Sequence, residues 1–173
     1  VALIALALPS ILHGAGLHPE YIGPVHEAPG KRALIITTSH SVLAPVGETD
    51  GPATGVWASE MTHPYYVFLE AGMSVDVASI KGGEIPIDPQ SFYRPIISAE
   101  DERFLEDPTF QAKVKNSIPI EQVDISQYDT IFLAGGWGAA YDMAQSDVLA
   151  EKVSAAWYAD KSPIIGAVCH GLL

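Results

Sequence analysis

The chain has 173 residues, of which 48% are hydrophobic and 17% charged, with Gly and Pro spread along it; that is the size and composition of one packed domain, not of a disordered chain. Nine basic against 21 acidic residues give a formal charge of −12. Such a surface offers a nucleic acid no counterion release, so that class of partner is set aside, and a single cysteine leaves neither an internal disulfide nor a CxxC pair for zinc or iron–sulfur chemistry.

Residues 1–12, VALIALALPSIL, are apolar and uncharged. That length suits the apolar core of an export signal and is too short to span a bilayer as written. Two readings stand side by side. One is a truncated export signal or membrane anchor, with Gly14, Ala15 and Gly16 as a processing site and a bacterial envelope or periplasmic location; the other is a buried or interfacial helix of a cytoplasmic protein. Residues 13–30 mix Pro and Gly without a hydrophobic period and read as a linker, so the domain is expected over residues 31–173.

Lys31–Ser39, KRALIITTS, is a short β-branched apolar run, the pattern of a strand buried on both faces of a parallel sheet. A polar, Gly- and Pro-rich loop follows to Gly55. Val56–Gly72, VWASEMTHPYYVFLEAG, has apolar residues at helical spacing and ends in a C′ glycine; Pro64 predicts either a kink or a helix that effectively starts near His63. Ser74–Ile80 reads as a second strand and KGGEIPIDPQS as a loop. Ser98-Ala-Glu-Asp opens a helical stretch to about Lys115, broken and restarted at Asp107-Pro108. Asp129–Gly136 is a third buried strand running into glycines, Ser146–Lys161 an amphipathic helix with a Ser cap, and Pro163–Cys169 a fourth strand. Alternating strands and helices predict an α/β fold with a mainly parallel sheet. Ligands of such sheets sit beyond the carboxyl ends of the strands, where Thr38–Ser39, Gly135–Gly136 and Cys169–His170 all fall.

Cys169 ends a strand and has small residues at −2 (Ala167) and +2 (Gly171). AVCHG has the pattern of a strand–turn–helix elbow, in which a nucleophile occupies a sharp turn that only small neighbours can surround. A side chain there faces a helix N-terminus, whose free N–H groups stabilise an anion. The competing reading is a buried structural cysteine. His170 cannot be assigned as the base from adjacency alone, since neighbouring side chains at a turn diverge; its amide is a candidate oxyanion donor. In AGGWGAAYD, Gly135 and Gly136 let backbone N–H groups approach an anion or a developing oxyanion. Glu60 is either a solvated helix residue or a partly buried acid that shares a proton with a thiol or substrate. His13, His18, His26 and His40 lack an i, i+4 partner, so no metal site is expected; His63 caps or packs.

TGVWASEMTHPYYVFLEAG, VDVASIKGGEIPIDP, DTIFLAGGWGAAYDM and GAVCHGLL, in this order, resemble the ThiJ/PfpI superfamily, also described as class I glutamine amidotransferase-like, and within it the branch of heat-shock chaperones and glutathione-independent glyoxalases. The resemblance covers about Lys31 to Leu173. It implies a flavodoxin-like three-layer α/β sandwich, usually a homodimer, with further elements beyond the elbow, so that the chain is expected to lack the C-terminal part of the domain. It also implies Cys169 as nucleophile, Glu60 as the acid sharing its proton, His170 as the histidine of the elbow, and Gly135 and Gly136 as the turn facing them.

The expected activity is a cofactor-free, cysteine-dependent conversion of small 2-oxoaldehydes such as methylglyoxal into 2-hydroxy acids, of the glyoxalase III or deglycase kind. The alternatives are a holding chaperone or redox stress protein, and a cysteine peptidase or amidase.

Overall fold

The computed structural model describes Pro24 and residues 26–45, 47–94 and 96–173; the expectations for residues 1–12 and for most of the linker lie outside the described residues. The elements run β1 (Arg32–Thr37), α1 (Ala58–Glu70), β2 (Ser74–Ser79), α2 (Ala99–Glu106), α3 (Pro108–Lys115), β3 (Ile118–Pro119), β4 (Thr130–Leu133), α4 (Ala139–Asp142), α5 (Asp147–Trp157) and β5 (Ile164–Ala167), followed by a 3-10 turn, Cys169–Leu172. Each of the four strands expected from the sequence forms. β3 escapes the sequence pattern because it is two residues long, one of them a proline.

The sheet is parallel throughout, in the order β3-β2-β1-β4-β5. Its four longer strands follow the flavodoxin order. β1 is central, and its alternation assigns the two faces: Ala33 and Ile35 join the core cluster of α1, α2 and α3, whereas Leu34 and Ile36 join that of α4 and α5. Both sets are fully buried, and each large apolar side chain so placed contributes about 1.5–3 kcal/mol. The result is a three-layer, flavodoxin-like α/β sandwich. Among the described residues no helix is long and apolar enough to cross a membrane.

α1 corrects one expectation. It starts at Ala58 rather than near His63 and runs through Pro64, which has no N–H to donate to the Glu60 carbonyl. Burial outweighs that loss: Ala58, Met61, Thr62, Tyr65 and Tyr66 all face the core. The helix ends as a Schellman motif, with Gly72 at φ +83 and with the Gly72 and Met73 amides donating to the Leu69 and Phe68 carbonyls.

The α1–α2 contact is fastened by a buried carboxylate. Asp101 closes the capping box of α2 with Ser98 and also accepts the Thr62 hydroxyl at 2.7 Å. Its truncation strands a buried hydroxyl and the Ser98 amide. We expect Asp101→Ala to lower unfolding stability by about 2–4 kcal/mol, while Glu100→Ala, which removes only an exposed partner of His63, changes it by less than about 0.5 kcal/mol. Urea denaturation of the two variants against the parent checks the contrast.

Candidate active site

The strand order reverses between β1 and β4, and the carboxyl ends of β1, β4 and β5 open on the same rim. Twenty residues connect β1 to α1, and they are anchored rather than loose. Val42 and Ala53 form an antiparallel bridge, the buried Thr54 hydroxyl donates to Asp88 at 2.8 Å, and Val56 exchanges backbone hydrogen bonds with Pro86 and Asp88. A Cβ on Gly55 would lie 2.0 Å from the Pro86 carbonyl oxygen, so only glycine passes there. This segment delivers Glu60, in the first turn of α1, to the rim.

The glycine turn after β4 is held from the other side. Asp142 accepts the Thr38 hydroxyl and the Ser39 amide, both at 2.7 Å, and Tyr141 stacks on His40 with ring centroids 4.3 Å apart. Gly136 has φ +95; a Cβ there would fall 2.4 Å from both the Gly55 carbonyl oxygen and the Trp57 nitrogen. The turn thus leans on the segment that carries Glu60. The Gly135 amide donates to Glu60 Oε2 at 3.0 Å.

β5 brings the third component. Cys169 is the one non-glycine residue with positive φ among the described residues, at +52, a conformation that costs about 1–2 kcal/mol for an L-residue. A Cβ on Gly171 would lie 2.3 Å from the Leu133 carbonyl oxygen, which explains the small residue at +2. The thiol is exposed, against the reading of a buried structural cysteine. Its sulfur lies 3.2 Å from His170 Nδ1, so at this turn the two neighbouring side chains converge instead of diverging.

Glu60, Gly135, Gly136, Cys169 and His170 therefore come together. Burial pushes the Glu60 carboxyl above the ordinary carboxylate range; the Cys169 side chain, the Gly135 amide and the His170 charge each pull it back. The solvated-helix reading of Glu60 does not hold, because the residue is half-buried and takes a backbone donor from another element. The Gly135 amide is directed to Glu60, whereas the Gly136 and His170 amides donate to no protein acceptor among the described residues.

Trp137 was not singled out by its sequence context, yet its ring meets the His170 ring at 4.8 Å; an aromatic between two glycines at a strand end was the available signal. His40 and His63 sit elsewhere in the fold with partners of their own, and no group of three or more His, Cys, Asp or Glu able to hold a metal occurs among the described residues. Hollows of about 610 and 810 Å³, lined by Ser41, Glu84 and Lys115 and by Val67, Met73 and Ile164 respectively, include neither Glu60 nor Cys169.

The chain is similar to several known proteins. The chain is 30% identical over 125 residues to Glyoxalase 3 of Candida albicans, covering 71% of this chain and 52% of that protein. It is 27% identical over 146 residues to the glutathione-independent glyoxalase HSP31 of Saccharomyces cerevisiae, covering 83% and 59%. Among solved structures, the 24 kDa rapid encystment protein of Francisella tularensis superposes with a TM-score of 0.71 at 39% identity, over 82% of this chain and 60% of that one. The glyoxalase III structure from Candida albicans gives 0.67 at 28% identity, over 82% and 57%. The chain spans a little over half the length of these relatives. Residues 52–173, which carry every member of the rim cluster, match the DJ-1/PfpI family, and the chain belongs to that family.

Proposed function

We propose that this protein converts small 2-oxoaldehydes, methylglyoxal being the simplest candidate, into 2-hydroxy acids without glutathione, using Cys169 as the nucleophile. The observation that carries the proposal is an exposed thiol at a strained elbow, 3.2 Å from His170 Nδ1, beside a carboxyl whose proton affinity is raised by burial. The names of the relatives, glyoxalase 3 and glutathione-independent glyoxalase, supply the substrate class.

His170 Nδ1 takes the thiol proton as Sγ bonds to the aldehyde carbon, C1, and the carbonyl electrons move onto oxygen. The Gly136 and His170 amides hold that oxyanion. Glu60 removes the proton from C1 and returns it to C2, while the C2 oxygen takes the proton that His170 received from the thiol; the raised proton affinity of Glu60 suits both halves of the transfer. The hemithioacetal becomes a thioester, with C1 oxidised and C2 reduced in the same molecule, so the electrons balance without a redox cofactor. Water then attacks the thioester, Sγ leaves as thiolate and recovers a proton, and the 2-hydroxy acid departs. The Gly135 amide keeps Glu60 pointed at the reacting carbons.

Lactate formed from methylglyoxal in the absence of glutathione is the direct readout. The parent should produce it and Cys169→Ala should not; equal rates would end the proposal, and no turnover by either protein would favour the amidase or chaperone readings instead. Glu60→Gln, which can still accept from Gly135, should lower kcat/KM by roughly 10²–10⁴-fold.

The Glu60 carboxyl also links stability to pH. Because its proton affinity is higher in the folded than in the unfolded chain, the stabilisation of its protonated form is complete below the ordinary carboxylate value of 4.5 and is lost as pH rises through its elevated value. Glu60→Gln should therefore gain stability relative to the parent as pH rises from about 4 to about 8. Urea denaturation across that range checks the sign, and a difference that is flat with pH contradicts it.

A further inference from the structure

We infer that Trp137 is a positioning residue, whose indole bears on the His170 ring and keeps Nδ1 turned towards the Cys169 thiol. This inference rests on the assignment of Cys169 and His170 to one reacting pair.

Adjacent side chains at a turn have no intrinsic reason to meet. The positive φ of Cys169 brings the two together, but the imidazole can still rotate, and a half-turn about its own axis replaces Nδ1 by a carbon. Among the described residues the ring has the Cys169 sulfur on Nδ1 at 3.2 Å, the Glu60 carboxyl as a charged neighbour, and the Trp137 ring at a centroid distance of 4.8 Å and a tilt of 39°. A hydrogen bond to exposed sulfur is weak. An aromatic contact multiplies the population of the oriented ring by roughly two- to tenfold, enough to decide whether the pair is assembled most of the time.

Trp137 is itself firmly mounted. It lies between Gly136, packed against the Gly55 and Trp57 backbone, and Gly138, whose Cβ position would be 2.6 Å from the His40 carbonyl oxygen and 2.7 Å from Thr38. The Gly138 amide donates to the Gly55 carbonyl at 3.2 Å. Among the described residues 49% of Trp137 remains exposed. It stands at the rim, in contact with the His170 ring.

The chain has one cysteine, so the rate of alkylation by iodoacetamide reports on Cys169 alone and requires no 2-oxoaldehyde. Trp137→Leu should slow alkylation near neutral pH by roughly three- to tenfold, well short of the hundredfold that a 1 Å misplacement of a reacting group can cost. Trp137→Phe, which retains an aromatic face, should restore most of the rate. In a His170→Ala background, Trp137→Leu should have no effect.

The proposal is overturned if Trp137→Leu matches the parent, if it slows alkylation equally with and without His170, or if Trp137→Phe is no better than Leu. The folded parent gives an independent check: the indole should shift the His170 ring protons upfield in its NMR spectrum, and ordinary shifts overturn the inference even if the variants fail to fold. Lack of methylglyoxal turnover with these alkylation results intact would remove the glyoxalase reading and leave the role of Trp137 standing.

Discussion

The hydrogen bond from the Gly135 amide to Glu60 joins the first turn of α1 to the turn after β4, across the point where the strand order reverses. Everything else at the rim is arranged around that junction. Gly55 must pass beneath the Pro86 carbonyl for α1 to start where it does, and Gly136 must accept a left-handed backbone to lie against Gly55 and Trp57. A side chain on Gly135 would collide with the Glu60 carboxyl and with the elbow backbone at Val168 and His170, each 2.7 Å away. Three backbone segments thus meet with no room for a methyl group.

This close approach accounts for the chemistry of the carboxyl. Moving Glu60 out of water favours its protonated form, and the nearby Gly135 amide and His170 charge moderate the effect without cancelling it. The elbow adds a cost of about 1–2 kcal/mol for the left-handed Cys169, a noticeable fraction of the total stability of about 5–15 kcal/mol expected for a domain. The β5–β4 ladder and the contact of Gly171 with the Leu133 carbonyl oppose relaxation of that strain.

The two sides of the site differ in how they are held. Glu60 and the glycine turn are anchored by buried or half-buried polar bonds, Thr54 to Asp88 and Thr38 to Asp142, and are rigid in that sense. Among the described residues Cys169 is exposed and His170 half-buried, and the two share a sulfur–nitrogen contact; the Trp137 ring from the glycine turn meets the imidazole.

Much of the fold was legible in local patterns. The β-branched run of β1, the Ser98 capping box, the restart at Asp107-Pro108 and the C′ glycine of α1 are signals read over a few residues, and each reflects a local force: strand packing, amide capping or backbone sterics. The AVCHG pattern likewise marked an elbow, because the size limit on its neighbours is written into the residues at −2 and +2. Local patterns did not decide the start of α1, where burial of Ala58, Met61 and Thr62 overrides the proline, nor the two-residue β3, which exists only because β2 is there to pair with it. The state of Glu60, the choice of the Gly135 amide as its partner, the convergence of His170 on Cys169 and the contact with Trp137 all depend on segments distant in sequence. By itself the sequence determined which residues were able to form an elbow and a glycine turn. Only the tertiary structure decided which amide, ring and carboxyl face the sulfur, because desolvation and hydrogen-bond geometry are properties of the assembled rim and of no single segment.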